Sequence, residues 1–395
     1  MDSFPDEIIT IMFLNLPVES ILRCRSVCKS WCKIIDNPKF AEIHFNSSKP
    51  QLGDTSSLLL LSNFSDELYI GKIVDATLSG ILLKSTPFQI SCKRSTCNFA
   101  EPPVNGLLFM YPHSNYDSSS ENESSCSMYI CNPATRDCVQ LPIFNHIQCS
   151  QATLIRGFGF DAISNEFKVM QMATYVGGRS NDTESEVQVY TLGSNSWKNV
   201  GKAPDSKFVK VMSAFVNGSS HWLAVSGSGD SDNPFPLFSM DIVSFNFSSE
   251  KFGVIPTPEF GFVTENNTVP EPAYFELTVL GECLSVVDCS FEHHMEIWVM
   301  KEYNVKKSWT RYSVTKYYMD RQFSIIQAIS LHKDSEIVLL YGASRLVSYN
   351  IERKTYTPFE VDGIPRYSIQ HGCSPLSYQV YSFVESLFSL KPDVE

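Results

Sequence analysis

Met128-Tyr129-Ile130-Cys131-Asn132-Pro133-Ala134-Thr135-Arg136, followed by Cys138-Val139-Gln140-Leu141-Pro142, is the stretch that decides the fold. An apolar-aromatic strand runs into a polar turn, and a second strand then starts at a Cys. The same plan returns in Val189-Tyr190-Thr191-Leu192-Gly193-Ser194-Asn195-Ser196-Trp197. It returns again in Ser244-Phe245-Asn246-Phe247-Ser248-Ser249-Glu250-Lys251-Phe252 and in Ser348-Tyr349-Asn350-Ile351-Glu352-Arg353-Lys354-Thr355-Tyr356. Ile297-Trp298-Val299-Met300 with Ser308-Trp309-Thr310 is a copy with a longer loop, and a weaker first copy lies near Leu68 to Leu82.

The copies begin near residues 129, 189, 244, 297 and 348. That spacing of about 50 to 60 residues is close to the blade period of kelch-type propellers. Each unit is one sheet with two faces to bury, and blades stacked around an axis bury both. The sequence therefore predicts a mainly β chain. A small three-helix N-terminal module precedes a β-propeller of about six blades, with seven allowed. The run Tyr381-Ser382-Phe383-Val384-Glu385-Ser386-Leu387 is expected to supply a closing strand or a short helix. Trp197, Trp222, Trp298 and Trp309 fall inside the repeats, and His221 adjoins Trp222, so core packing is their expected role.

At the N-terminus, Ser3 and Asp6 have capping-box-like spacing, with Pro5 suited to a first helical turn. Ile8, Ile9, Met12 and Phe13 follow at helical spacing. Asn15-Leu16-Pro17 breaks that helix, because proline lacks the N–H and disfavours helix at the preceding residue. Pro17 opens a second run with Val18, Ile21 and Leu22 on one face. Val27, Trp31, Ile34 and Ile35 mark a third, ended by Asn37-Pro38. So small a unit buries little surface alone and needs a neighbour. Cys24, Cys28 and Cys32 lie at i, i+4 and i+8, on one helix face. A zinc site usually takes four tightly spaced ligands, so no metal is expected there.

Phe4-Pro5-Asp6-Glu7, Leu14-Asn15-Leu16-Pro17-Val18, Arg23-Cys24-Arg25-Ser26-Val27-Cys28-Lys29-Ser30-Trp31 and Asn37-Pro38-Lys39-Phe40 resemble the plant F-box pattern along its whole length. The departures are Phe4 for the usual Leu, Glu19 for a common basic residue, and Cys24 where an aromatic is frequent. The resemblance implies that Pro5, Ile8, Leu14, Leu16, Pro17, Val18, Leu22, Val27 and Trp31 dock on or support a Skp-type adaptor. The repeats lack the kelch double glycine. Gly157-Phe158-Gly159-Phe160-Asp161, Asn165-Glu166-Phe167-Lys168-Val169, Ser220-His221-Trp222-Leu223-Ala224 and Ile297-Trp298-Val299-Met300-Lys301-Glu302-Tyr303 instead resemble the plant F-box-associated type 1 domain. This kelch-like F-box-associated family includes the pollen S-locus F-box proteins and regulators of plant immunity. The resemblances assign residues 1–45 to an F-box and 51–395 to a propeller.

They imply the substrate receptor of a cullin-based ubiquitin ligase. The F-box would hold the adaptor, the adaptor would join a cullin scaffold, and the propeller would hold a target protein for ubiquitination and degradation. A ligand-dependent sensor and an adaptor-bound scaffold outside any ligase are the alternatives.

Bulk properties agree. The chain has 395 residues, of which 43% are hydrophobic and 19% charged, so a well-buried core is expected. Aromatics at 12% favour β structure. The net charge of −12 repels phosphate backbones and favours a basic protein target over nucleic acid. Met1 leads into Asp2, Asp6 and Glu7 rather than a basic and apolar leader. A cytoplasmic or nuclear location is expected, with the 12 Cys as free thiols. The sequons at Asn46, Asn63, Asn122, Asn181, Asn217, Asn246 and Asn266 then read as loop composition. No apolar run approaches the roughly 20 residues that span a bilayer.

Catalytic patterns are missing: no G-x-S-x-G, no H-E-x-x-H and no Walker A. Gly157-Phe158-Gly159 lacks the third glycine of a dinucleotide site. The eight His show no metal spacing, and adjacent His293 and His294 point to opposite faces of a strand. A copper or radical enzyme on a propeller scaffold is the enzymatic alternative, and no cofactor is expected. His113 to Ser127 and Ser226 to Asp232 read as loops on a propeller face, where binding usually resides.

Overall fold

The computed structural model describes residues 5–48, 57–62, 68–76, 81–88, 99–111, 127–142, 153–176, 183–204, 206–208, 213–226, 239–259, 274–316, 326–332, 335–341, 345–363 and 378–390. Helices come first: α1 (Asp6–Leu14), α2 (Val18–Cys24), α3 (Lys29–Ile35) and α4 (Pro38–Ser48). The sequence predicted three. Pro38 does end the third, but it also opens a fourth, where its missing N–H is no loss. Pro5 and Pro17 are the extended N-cap residues of α1 and α2. Pro5 makes no side-chain cap bond, and Ser3, its proposed capping neighbour, lies outside the described residues.

Strands follow in groups. Blade 2 is β4 (Phe99–Ala100), β5 (Leu108–Tyr111), β6 (Tyr129–Asn132) and β7 (Asp137–Gln140). Blade 3 is β8 (Thr153–Asp161), β9 (Glu166–Val176), β10 (Thr183–Thr191) and β11 (Lys198–Gly201). In blade 4 the inner strand is split into β12 (Lys207–Phe208) and β13 (Ala214–Val216), which both pair with β14 (Ser219–Ser226). β15 (Ser239–Asn246) and β16 (Lys251–Ile255) complete it. Blade 5 is β17 (Phe275–Leu280), β18 (Cys283–Asp288), β19 (His294–Met300) and β20 (Trp309–Thr315). Blade 6 is β21 (Ile326–His332), β22 (Glu336–Tyr341), β23 (Arg345–Asn350) and β24 (Thr355–Asp362).

Blade 1 combines both ends of the propeller. β1 (Ser57–Ser62), β2 (Leu68–Ala76) and β3 (Ile81–Phe88) take β25 (Tyr378–Ser382) as their inner neighbour, with Leu60 opposite Val380. The ring is thus closed by a strand, and residues 383–389 beyond it run without regular structure rather than as a helix. The outer strands of blades 6 and 1 also pair, in parallel, with Phe359 opposite Ile81. That pairing covers two edges that would otherwise offer unpaired backbone groups. Six blades result, and each repeat read from the sequence is the third and fourth strand of one of them.

Three of the repeats, and the turn between the first and second strands of blade 3, share a conformational cause. Asn132, Asp161, Asn246 and Asn350 each open a hairpin turn, and their Oδ1 atoms accept N–H bonds from Ala134, Ile163, Ser249 and Arg353 at 2.8 to 3.0 Å. Four residues after each stands a left-handed residue: Arg136, Asn165, Glu250 and Lys354, with φ between 53° and 65°. The Asx side chain supplies the bonds that the tight backbone cannot.

The aromatic that starts a fourth strand is a latch. Trp197 Nε1 donates to the Pro142 carbonyl at the end of the preceding blade, and Trp309 Nε1 donates to the Pro256 carbonyl, both at 2.9 Å. The Tyr356 hydroxyl does the same to Thr315. Trp222 is wholly buried and donates to the Arg156 carbonyl. These side chains therefore pack and also hold neighbouring blades in register.

One apolar cluster fills each of the six seams. Leu59 meets Leu108 between blades 1 and 2, and Met172 meets Trp222 between 3 and 4. Ile242 meets Leu284 between 4 and 5, Ile297 meets Ile337 between 5 and 6, and Leu340 meets Leu83 between 6 and 1. The seam between blades 2 and 3 is different, because its cluster continues into the helices. Middle strands touch a seam on each face, so they are continuously buried, as in β5 and β22. The outer strand β24 alternates.

Two departures concern Cys and Gly. Cys131 and Cys138 face each other across the β6–β7 hairpin, Cα atoms 4.2 Å apart, and form a disulfide. The expectation of free thiols is corrected at this pair, since the strand register brings the two sulfurs together. Gly157 and Gly159 mark a close approach: a Cβ on Gly157 would lie 2.8 Å from the Trp222 ring, and one on Gly159 would meet the Phe247 ring.

Polar groups also join blades, including blades that are not neighbours. Glu101 is buried and accepts the Tyr111 hydroxyl at 2.8 Å, the Ser213 hydroxyl at 2.7 Å and the Ser213 N–H at 2.9 Å. It thereby ties blade 2 to the split inner strand of blade 4. Burial pushes its carboxyl up to about 7, against those hydrogen bonds and the charge of Arg156. Asp161 behaves oppositely. Burial would raise it, but bonds from Ser248, Lys168, Ile163 and Ser164 outweigh that and hold it well below the usual range.

Two predictions follow from the seams. Gly159→Ala overpacks the seam between blades 3 and 4 and should cost about 1–3 kcal/mol. Urea unfolding should show it against Gly253→Ala, whose added carbon meets only the Ser244 hydroxyl at 3.2 Å. Glu101 titrates higher when folded, so the folded state holds a proton that the unfolded chain has already lost. Stability should fall as pH rises from the ordinary glutamate range to about 7, then level. Glu101→Gln should flatten that slope between pH 5.5 and 8; an unchanged slope would assign the dependence elsewhere.

Candidate partner-binding surface

Helix α1 has more apolar residues than one face can hold. Ile9 and Phe13 point inward and are buried, Phe13 meeting the Trp31 ring edge-on at 5.2 Å and the Phe40 ring at 6.3 Å. Ile8, Ile11 and Met12, at i, i+3 and i+4, point outward, and Met12 is 58% exposed. Val27, before α3, is 63% exposed, and Ile43 of α4 is exposed as well. Among the described residues, five of the ten exposed large hydrophobics therefore lie in the helical module, four in its helices and Val27 in the turn before α3. A face of this kind marks an interaction surface.

The structure sorts the nine predicted adaptor residues. Pro5, Ile8, Pro17 and Val27 are exposed; Leu14, Leu16, Leu22 and Trp31 are half-buried; Val18 is buried and supports the core between helices. Sequence reading missed Ile11 and Ile43 and gave Met12 no outward role. The signal was present: Ile8, Ile9, Ile11, Met12 and Phe13 overfill one helical stripe, which is normally about 100° wide.

Polar contacts fix the shape of this module. Buried His44 Nε2 donates to the Leu16 carbonyl at 2.9 Å, so α4 satisfies the backbone broken before Pro17. Arg25 donates to Asp36 through Nε at 2.5 Å and Nη2 at 2.9 Å, joining the ends of α2 and α3 around Val27. The pair is half-exposed and orients more than it stabilises. Cys24 ends α2 and Cys28 is the extended N-cap of α3, so Cys24, Cys28 and Cys32 do not share one helix face.

The module is mounted on the ring through the chain's other end. After β25, Leu387, Phe388 and Leu390 are buried in the same cluster as Ile9, Phe13 and Phe45. The Phe388 ring lies 5.8 Å from Phe45, 5.2 Å from Phe167 and 6.0 Å from Phe160. Asn132 Nδ2 holds this segment by donating to the Ser386 and Phe388 carbonyls at 3.1 and 3.0 Å. Gly106 has φ of 77°, and a Cβ there would meet Ser386 Oγ at 2.5 Å, so only glycine fits beside the segment. The two loops read as binding loops, 113–127 and 226–232, lie outside the described residues apart from Ser127 and Ser226. Among the described residues no helix is long and apolar enough to cross a membrane.

Known proteins share both halves. Residues 1–42 match the F-box domain, and residues 59–386 match the F-box associated beta propeller domain. Three Arabidopsis thaliana proteins are similar over most of their length. F-box protein At3g07870 is 28% identical, covering 93% of this chain and 89% of its own. F-box protein CPR1 is 26% identical over 92% and 86%, and F-box protein At4g22390 is 24% identical over 90% and 86%. Six closed blades, a helical module seated on one seam and these two matches have one reading: the chain belongs to the F-box proteins that carry an F-box associated β-propeller domain.

Proposed function

We propose that this protein is the substrate receptor of a cullin-RING ubiquitin ligase. A Skp-type adaptor covers the outward apolar face of the helices and links them to a cullin scaffold, while the propeller holds a target protein. The observation that carries this is the double-faced α1. Its inner face already packs on Trp31 and Phe40, so Ile8, Ile11 and Met12 serve only a partner. Covering such a side chain is worth about 1.5–3 kcal/mol when it goes from fully exposed to fully buried, so a few of them sustain a specific complex. The receptor contributes proximity: a bound target meets the ubiquitin-charged enzyme at high effective concentration. No catalytic residue is required of it. The net charge of −12 supports a basic target, and the cytoplasm or nucleus is the location where the ligase works.

Ile8→Asp with Met12→Asp should leave the helices folded, because both side chains are exposed, and should weaken adaptor co-purification at least tenfold. Each 1.4 kcal/mol lost is tenfold in affinity. Retention of the adaptor at the wild-type level by this double variant would sink the reading. Phe388→Ala should act differently. It should leave adaptor binding intact and loosen the mount, seen as faster proteolysis between α4 and β1 with the ring still resistant.

A further inference from the structure

Successive strands of a blade are antiparallel, so the first and third turns of every blade emerge on one face of the ring. The helices sit on that face, since their cluster includes Val104 and Leu107 from a first turn and Ala134 from a third. The same face holds a cavity of about 480 Å³. Its lining comes from the first turns of blades 2, 4 and 5 and the end of β19. Blades 2 and 5 are opposite in a ring of six, so a space that touches both is the mouth of the axis.

Three matching turns shape it. Asn105-Gly106, Asn217-Gly218 and Gly281-Glu282 are two-residue hairpins with φ positive at both positions, between 48° and 77°. This is the tight turn whose twist suits a hairpin and which favours Asn-Gly. Among the described residues, neither the Asn105 nor the Asn217 carboxamide has a hydrogen-bond partner. Below them the floor is apolar: Val216, Leu284 and Met300 are buried, and Val279 packs on them. Glu282 and Lys301 add one charge of each sign to the lining, so net charge selects little there.

One wall is held rigid from behind. His221 is fully buried, and its Nδ1 lies 2.9 Å from the Ala214 carbonyl, so Nδ1 carries the hydrogen. Its Nε2 must then accept, and the Tyr303 hydroxyl donates to it at 2.8 Å. Burial lowers the imidazole to about 4 and keeps it neutral for this role. The Tyr303 ring, which lines the cavity together with Phe215, is thus fixed.

We propose that this axial mouth is a peptide site. It takes one large apolar side chain of a target protein on its floor and reads the flanking peptide backbone with the Asn105 and Asn217 carboxamides. A carboxamide offers one donor and one acceptor side by side, the complement of a peptide group. A few placed polar groups over an apolar floor of this volume are the usual make-up of a ligand site. The proposal rests on the receptor reading and assigns the target's anchor point to the helix-bearing face.

The test uses the full chain co-purified with a Skp-type adaptor. The probes are fluorescein-labelled decapeptides of Ala, Ser and Gly with a single central Leu, Phe, Trp or Asp, read by anisotropy. Peptides with Leu, Phe or Trp should bind at least tenfold more tightly than the Asp peptide. Asn105→Gly with Asn217→Gly should weaken them at least tenfold at an unchanged melting temperature, because glycine adopts both turns without strain. Val279→Trp should abolish binding by filling the floor. Equal binding of the Asp peptide, no binding of any peptide, or full binding by the Asn-to-Gly double variant overturns the proposal. Adaptor co-purification separates the two readings: adaptor retained without peptide binding removes only the site, and peptide binding without adaptor removes the receptor reading.

Discussion

The pairing of β25 with β1 is the contact on which everything else depends. Five blades are continuous in sequence and would fold from local hairpins. Blade 1 is not, because its inner strand comes from the far end of the chain. Closing a loop of that length costs entropy that grows only slowly with length, and the seams on both sides of blade 1 return buried apolar surface against it. The strand does more than shut the ring. It sets down residues 383–390 at the seam between blades 2 and 3, where Phe388 receives Phe45. Ring closure and the seating of the helical module are therefore one event. An open ring would lack the surface on which the helices stand.

Much of this was legible, and for a physical reason. In blades 2, 4 and 6 the third and fourth strands are joined by a turn with Asn at its start and a left-handed residue four positions later. That turn leaves a mark on the sequence, and Asn132, Asn246 and Asn350 are the marks. First and second strands are joined in several ways, by Asn-Gly pairs in blades 2 and 4, by Gly281-Glu282 in blade 5 and by an Asp161 turn of the Asx kind in blade 3, and they showed no common string. The tie from Glu101 to Ser213 could not be read at all, since 112 positions separate them. The same holds for Asn132 and Phe388, joined by 256 positions of intervening fold.

The helical module was legible as pattern and less so as surface. Periodicity finds the side of a helix that packs, so Ile9, Phe13, Val18 and Ile21 were within its reach. It does not find a second apolar side, because a helix that must serve two partners at once departs from the single stripe on which the method relies. A step from the second helix to the third was expected between Leu22 and Val27, but its corner at Arg25 to Cys28 was not placed. Nothing in those residues forbids helix, and it is the bidentate Arg25–Asp36 contact that defines the corner.

A receptor of this design works only if its two ends keep a fixed relation. Proximity raises the rate of a transfer when the linked groups are held within reach, and the gain falls as the connection loosens. A long flexible connection would let the target wander. Here the connection is a packed seam: Phe388 touches rings from α4 and blade 3, and Asn132 of blade 2 holds its backbone. Cores pack near crystal density and transmit displacement rather than absorb it. Wherever a target sits on the ring, its position relative to α1 is then set by the fold. The pocket at the axis shares Val104 and Phe215 with the very cluster that carries the helices, so a segment anchored there would be located against the F-box by a handful of shared side chains.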